Sequence, residues 1–318
     1  MKRKYVEDLN EGDEVKTTLS VKYKKPIRDY KNGYMFTLGL ADMTDEIEAK
    51  YWGGKNEDEV RKVFDSFQTG DVVEVRGNIS KFRNNLQINI EEGSLEKTEE
   101  FDIEDFVPSS DKDVEELFSR LEGKMRDLEN EHLRRLMDSF LNDEEFVEDF
   151  KGSPAAMYYH HAYIGGLVEH VLHMIEIGEK LSSLHEELDD DLIKVGCFLH
   201  DLGKMEEFSI TTNIKQSRKG LLTGHITLGQ EMLIRKIDEI EDFPENLKHK
   251  LLHILISHHG KTEYGAVKEP MFPEALAIHY IDELDSQVVQ MIDLKKNAET
   301  EDFHTWTGKN RFGQIYLE

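Results

Sequence analysis

The chain is poor in cysteine, in long apolar runs and in positive charge, and each shortage excludes something. One cysteine in 318 residues, Cys197, cannot form an internal disulfide, so a cross-linked secreted scaffold is excluded and a reducing cytoplasm is the expected home. Its neighbours Val195, Phe198 and Leu199 predict a buried, apolar role. No apolar run approaches the roughly 20 residues of a membrane-spanning helix, and none follows Met1-Lys2-Arg3-Lys4-Tyr5-Val6-Glu7-Asp8, so neither signal peptide nor membrane partner is expected. Lys and Arg total 40 against 66 Asp and Glu, a net charge of −26. Residues 1–98 hold 17 basic and 19 acidic side chains, and the remainder holds 23 and 47, so the acidity lies almost wholly beyond residue 98. Such an excess of carboxylate repels nucleic acid unless metal ions and local Lys/Arg clusters offset it. Adaptation to a salty cytoplasm is the other reading of the charge. The chain has no internal repeat and no low-complexity tract.

What is present divides into a strand-rich part and a helical part. Val15–Val21, Tyr34–Leu38, Ile47–Trp52, Val72–Arg76 and Leu86–Ile90 alternate as half-buried strands do. Between the third and fourth, Val60, Val63, Phe64 and Phe67 recur at helical spacing. Five strands with a helix between the third and fourth is the element order of an OB-fold barrel, which often binds single-stranded nucleic acid. Residues 99–112 read as an acidic linker ending at Pro108-Ser109-Ser110, the serines suggesting a helix N-cap. Amphipathic stripes follow over 114–128 and 133–141, and Asn142 with Glu145 suggests a capping box for a short helix. The pattern then predicts helix throughout to about residue 295. The expected fold is thus multidomain: an all-β OB-fold barrel over 1–98, a linker with amphipathic helices over 99–150, and an all-α domain over 151–318.

The helical part carries the chemistry. His200 and Asp201 sit together at the end of an apolar run, Phe198-Leu199-His200-Asp201-Leu202-Gly203-Lys204. His170 lies upstream; His225, the pair His258-His259, and Asp282 lie downstream. Imidazoles and carboxylates suit Mn, Fe, Ni or Zn, and a shared aspartate with two groups of histidines would hold two ions close together. Asp201 is the natural bridge, because its two oxygens can each face one ion. Lys204, one helical step beyond His200, is placed to hold a phosphate oxygen or simply to favour a helix end. Asp285, one turn beyond Asp282, is an alternative ligand. His173, one turn from His170, could support it from behind but has more the pattern of a surface residue, and His253 has that of a packed one.

The order His, His-Asp, His, His-His, Asp resembles the HD-domain superfamily of metal-dependent phosphohydrolases. With His160-His161-Ala162-Tyr163-Ile164-Gly165-Gly166-Leu167, His258-His259-Gly260, His279-Tyr280-Ile281-Asp282-Glu283-Leu284-Asp285 and the barrel before them, the chain is similar to the YhaM-type 3′-5′ exoribonucleases. The resemblance implies a metal-dependent exonuclease that shortens single-stranded RNA, and in some reading DNA, to nucleoside 5′-monophosphates. It implies one ion on His170, His200, Asp201 and Asp282 and a second on His225, His258 and His259 with Asp201 between. Two divalent ions are expected, Mn²⁺ first, with Fe, Ni, Co, Zn or Mg as alternatives. His160 and His161 are expected to line the nucleotide pocket, and a homo-oligomer is compatible with the pattern.

For the barrel, Lys22, Tyr23, Lys24, Lys25 and Arg28 read as a basic, aromatic loop between the first two strands, with Phe82 and Arg83 near the turn before the fifth. Cations meeting phosphates and rings stacking on bases would hold a strand there. Two other readings stay open: a small-nucleotide phosphohydrolase with a regulatory barrel, and a single-strand-binding protein without catalysis.

Overall fold

Alternating apolar residues build the amino-terminal barrel. The computed structural model describes residues 4–158, 160–298, 300, 302–306 and 312–318; the first three residues of the basic amino-terminal stretch lie outside these. Strands β1 (Glu14–Tyr30), β2 (Gly33–Ala41) and β3 (Glu46–Trp52) are followed by helix α1 (Glu57–Asp65) and strands β4 (Val72–Phe82) and β5 (Asn85–Lys97). They close in the order β1-β2-β3-β5-β4, with β3 and β5 parallel and β4 pairing back to β1. Leu19, Phe36, Leu38, Ala49, Tyr51, Val75, Ile88 and Ile90 point inward and are buried. Phe36 stacks on Tyr51, with ring centroids 4.7 Å apart. Fully burying one such side chain contributes roughly 1.5–3 kcal/mol.

Strand β1 runs far past the predicted Val21, because Lys22–Arg28 is strand and not loop. Its ladder with β2 slips between Val21 and Tyr23 and again between Lys25 and Arg28, around Pro26. Those irregularities, and the charge of the segment, conceal its strand character in the sequence.

The second part is helical. Helices α2 (Val114–Arg126), α3 (Glu131–Leu141), α4 (Glu144–Gly152), α5 (Gly166–Ser182), α6 (Asp190–Leu199), α7 (Lys204–Glu207), α8 (Arg218–Asp238), α9 (Glu245–Ser257) and α10 (Pro273–Lys296) are accompanied by two small two-stranded sheets, β6 (Phe208–Ile210) with β7 (Ile214–Gln216), and β8 (His304–Trp306) with β9 (Gln314–Tyr316). The pair β6–β7 corrects the expectation of helix throughout to about residue 295; β8 and β9 lie beyond that bound. Asp113, not Ser109 or Ser110, caps α2, accepting from Glu115 N and Glu116 N; Asp143, not Asn142, caps α4 through Phe146 N. Each cap satisfies amides that the helix leaves unpaired. The core joins Phe140, Phe146, Phe150 and Phe198, the last two stacked at 5.2 Å, with Leu and Ile from α5, α6, α9 and α10. Cys197 is fully buried there, and burial pushes its thiol pKa up.

The chain separates into two compact units. One runs to Pro108 and takes in Ile210–Ile214; the other holds Ser109–Ser209 and everything from Lys215. The division falls beyond residue 98 because the acidic stretch packs on the barrel unit: Phe106 and Val107 are buried, Tyr5 Oη donates to Asp105 (2.8 Å), and Met43 N donates to the Asp105 carbonyl (2.9 Å). Among the described residues no helix is long and apolar enough to cross a membrane.

Candidate metal centre and nucleic-acid face

Two helix ends, two helix interiors and a break within a fifth helix deliver the seven polar residues of the motif set. His200 and His258 occupy equivalent places, each at the C-cap of an apolar helix, α6 and α9. Their Nδ1 atoms lie 2.8 Å from the carbonyls of Cys197 and Leu255, three residues back. Each ring thus satisfies a carbonyl that the helix end leaves unpaired and turns its Nε2 forward. His170 comes from the middle of α5 and Asp282 from α10. His225 follows a break inside α8, where Gly224 takes φ 70° and ψ 158°, a conformation that favours glycine. Its Nδ1 is 3.1 Å from Glu207 Oε2.

These side chains converge on Asp201, which is 2 % exposed. Its Oδ2 lies 3.1 Å from His200 Nε2 and 3.9 Å from His170 Nε2; its Oδ1 lies 3.7 Å from Nε2 of both His225 and His258. Asp282 Oδ1 is 3.4 Å from His170 Nε2 and 3.9 Å from His200 Nε2. The carboxylate of Asp201 therefore stands between one group, His170, His200 and Asp282, and another, His225, His258 and His259. The buried atoms Nε2 of His170, His200, His225 and His258, Nδ1 of His259 and Oδ1 of Asp201 have no hydrogen-bond partner. Leaving so many polar atoms unpaired would cost about 1–3 kcal/mol each, so the donor set fits one or two cations of the kind that imidazole and carboxylate bind.

Electrostatics favour the same use. Burial opposes charge on Asp201, but Lys204 and His200 hold its carboxyl well below the usual range. Lys204 Nζ is 2.5 Å from Asp201 Oδ2. Burial also keeps His258 and His259 neutral by lowering their pKa, the state in which imidazole binds metal. His170 differs: burial lowers its pKa, but the carboxylates of Asp282 and Asp285 more than offset this and raise it to about 9.

Comparison with known proteins agrees with the two-part fold. A family model described as "HD domain" matches residues 167–287, and one described as "OB-fold nucleic acid binding domain" matches 15–95. The "3'-5' exoribonuclease YhaM" of Shouchella clausii (strain KSM-K16) is 34% identical over 258 residues, 80% of this chain and 78% of that protein. The protein of the same name from Bacillus subtilis (strain 168) is 32% identical over 262 residues, 82% of this chain and 81% of its own length. The chain belongs to the YhaM 3′-5′ exoribonuclease family.

Within this YhaM-family chain, two residues expected at the nucleotide pocket part company. His160 lies beside the cluster, its ring 6.0 Å from that of His170, and burial with the nearby charge of Lys204 lowers its pKa to about 3. His161 is instead buried with both nitrogens engaged, Nδ1 2.9 Å from Tyr163 Oη and Nε2 3.0 Å from Asp285 Oδ2, so nothing is left to meet a nucleotide. His173 also departs from expectation: its Nδ1 lies 3.0 Å from Asp285 Oδ1. His253 packs on Phe272 and accepts from Met271 N.

The barrel corrects more. Lys24, expected to meet phosphates, donates to the carbonyls of Phe64 and Phe67 and lies 4.0 and 4.5 Å from the centroids of their rings; burial lowers its pKa. It closes the carboxyl end of α1. Lys25 pairs with Glu48 at 2.8 Å, and Tyr23 lies flat against Gly39, where a Cβ would meet its ring at 2.1 Å. Lys22 sits at the slip in the ladder, and Arg28 is exposed. Phe82 is 53 % exposed, with Lys50 Nζ 4.6 Å and the Arg83 guanidinium 5.4 Å from its ring. Across β3, β5 and β4, Trp52 Nε1 donates to Asn89 Oδ1 (3.1 Å), Asn89 Nδ2 to Ser80 Oγ (2.7 Å), and Tyr30 meets Trp52 edge-on. The sequence reading missed Lys50, Trp52 and Asn89, although strand alternation puts the first two outside, on either side of inward Tyr51.

Proposed function

We propose that the chain is a metal-dependent 3′-5′ exonuclease acting on single-stranded RNA and releasing nucleoside 5′-monophosphates. The observation that carries this reading is the set of unpartnered imidazole and carboxylate atoms converging on Asp201 from four helices and their ends. His170, His200, Asp201 and Asp282 would hold one divalent ion, and His225, His258 and His259 the other, with Asp201 facing both. Ions bound there polarise a phosphoryl oxygen and make water a better nucleophile near neutral pH.

The chain's own residues supply the rest. Lys204, whose Nζ stands 2.5 Å from Asp201 Oδ2, would hold a non-bridging phosphate oxygen as charge grows on it. His160, neutral across the physiological range, would hydrogen-bond the terminal nucleotide without adding charge. The names of the two relatives support RNA as substrate and the 3′-5′ direction. On the barrel, Lys50, Trp52, Phe82, Arg83 and Asn89 offer cations, rings and amides on one outer face, which suits a single strand whose bases are unstacked. That face replaces the Lys24-centred cluster as the strand-holding element.

The test is incubation with Mn²⁺ and a 5′-labelled single-stranded RNA. A ladder shrinking from the 3′ end, abolished by a chelator and slowed by a 3′-terminal phosphate, is the expected result. Rapid cleavage of circular RNA would replace the reading with an endonuclease.

A further inference from the structure

Behind His170 lies a second cluster that the mechanism leaves unused. Asp285, one turn along α10 from Asp282, is 6 % exposed, and its carboxylate meets three imidazoles. Oδ2 lies 2.7 Å from His170 Nδ1 and 3.0 Å from His161 Nε2, and Oδ1 lies 3.0 Å from His173 Nδ1. His161 continues to Tyr163 Oη, which donates to Glu169 Oε2 at 3.0 Å; Ser110 Oγ (2.8 Å) and Lys112 Nζ (2.7 Å) close on the same carboxylate. Lys112 Nζ also reaches His173 Nε2 at 3.1 Å, so the chain of contacts returns to Asp285 and forms a ring.

Three of these residues, His161, His170 and Asp285, have the composition of a metal site. Their contacts differ from those around Asp201. There, the inward atoms are unpaired; here, the facing atoms of His161, His170 and Asp285 are at hydrogen-bond distance and none is orphaned. The second cluster reads as a hydrogen-bonded hub rather than a vacancy for a cation.

We propose that Asp285 is the positioning residue for His170, held in place by the ring through His161, Tyr163 and Glu169. An isolated imidazole can carry its proton on either nitrogen and can rotate. A carboxylate on Nδ1 fixes the proton there, stops the rotation and leaves the Nε2 lone pair facing Asp201 and Asp282. Two carboxylates from one helix thus straddle one ring, Asp282 on the metal side and Asp285 on the rear. The other group is anchored differently, His225 by Glu207 and His258 by a main-chain carbonyl, so the effect of Asp285 is confined to the ion beside His170.

This inference rests on reading the Asp201 cluster as a metal centre, and Mn²⁺ binding to the full chain, measured by titration calorimetry and by metal content after dialysis, tests it without RNA. The wild-type chain is expected to bind two ions. Asp285→Ala is expected to weaken one of them about 10- to 100-fold and spare the other; Asp285→Asn, which keeps one acceptor, recovers part of the loss. Tyr163→Phe breaks the ring one step away with little risk to folding and is expected to give a smaller loss at the same ion. Wild-type affinity for both ions in folded Asp285→Ala overturns the proposal. Where that variant does not fold, wild-type affinity in both Asp285→Asn and Tyr163→Phe overturns it equally. Three ions per wild-type chain would make the hub itself a metal site and defeat it too, and so would no ion at all. Mn²⁺ binding with intact RNA defeats the proposed function alone.

Discussion

The carbonyl oxygen of His225 lies 1.9 Å from where a Cβ on Gly203 would stand. The turn after His200-Asp201 and the break in α8 that presents His225 therefore touch backbone to backbone, and only glycine admits that approach. His225 Nε2 stands 3.7 Å from Asp201 Oδ1 beside this contact.

Gly203→Ala must push the two backbones apart. A loss of about 1–3 kcal/mol is expected from the overpacking, seen as a lower Tm, together with weaker binding of the ion assigned to His225, His258 and His259. Unchanged Tm and metal content would show that α8 yields freely.

Asp201→Ala removes the carboxylate common to both groups. Both ions and essentially all hydrolysis should be lost while the far-ultraviolet circular dichroism keeps its helical form. Full occupancy by two ions in this variant would rule out a bridging aspartate.

Metal loading should depend on pH through His170. Its pKa, raised to about 9, lies above the ordinary value of 6.5, so at pH 7 a cation must displace a proton. Affinity for that ion should climb by up to about tenfold per pH unit and level off above about pH 9. Stability of the metal-free chain moves the opposite way: the contribution of protonated His170 is complete below about 6.5 and fades as pH rises through about 9. Calorimetric titrations with Mn²⁺ across pH 6–9 check the first slope, and melts of metal-free protein, with His170→Gln for comparison, check the second.

The barrel cations should separate into two kinds. Lys24→Met deprives two carbonyls of their donor and should lower Tm, at a cost of about 1–3 kcal/mol, without altering RNA affinity. Phe82→Ala should weaken RNA binding by about 1–3 kcal/mol, and Lys50→Ala should reduce the salt slope of binding by about one, both with Tm unchanged. Equal loss of RNA binding in Lys24→Met would restore the first-predicted cluster.

Local patterns were enough to read the barrel strands and the amphipathic helices, though not the run of β1 past Val21 or the pair β6–β7. Alternation at Leu19, Phe36, Leu38, Ile88 and Ile90 announces a barrel because each inward residue lies two positions from the next, and the stripe through Leu117, Leu121 and Met125 announces a helix because it repeats every turn. The order His170, His200-Asp201, His225, His258-His259, Asp282 announced a cluster, since so many metal-ligating side chains have few other reasons to recur in one apolar helical domain. Contacts distant in sequence were not legible. Lys24 and Lys50 are alike as residues, and only closure of the barrel put one over the end of α1 and left the other beside Phe82. His160 and His161 are neighbours, yet the fold carried one to within 6.0 Å of the His170 ring, beside the Asp201 cluster, and turned the other, at φ 52°, back onto Asp285. A side chain's type and spacing set what it can bind; which partner it meets is decided by tertiary packing, because the competing donors and acceptors arrive from elements distant in sequence, 40 residues away for Lys24 and 124 for His161.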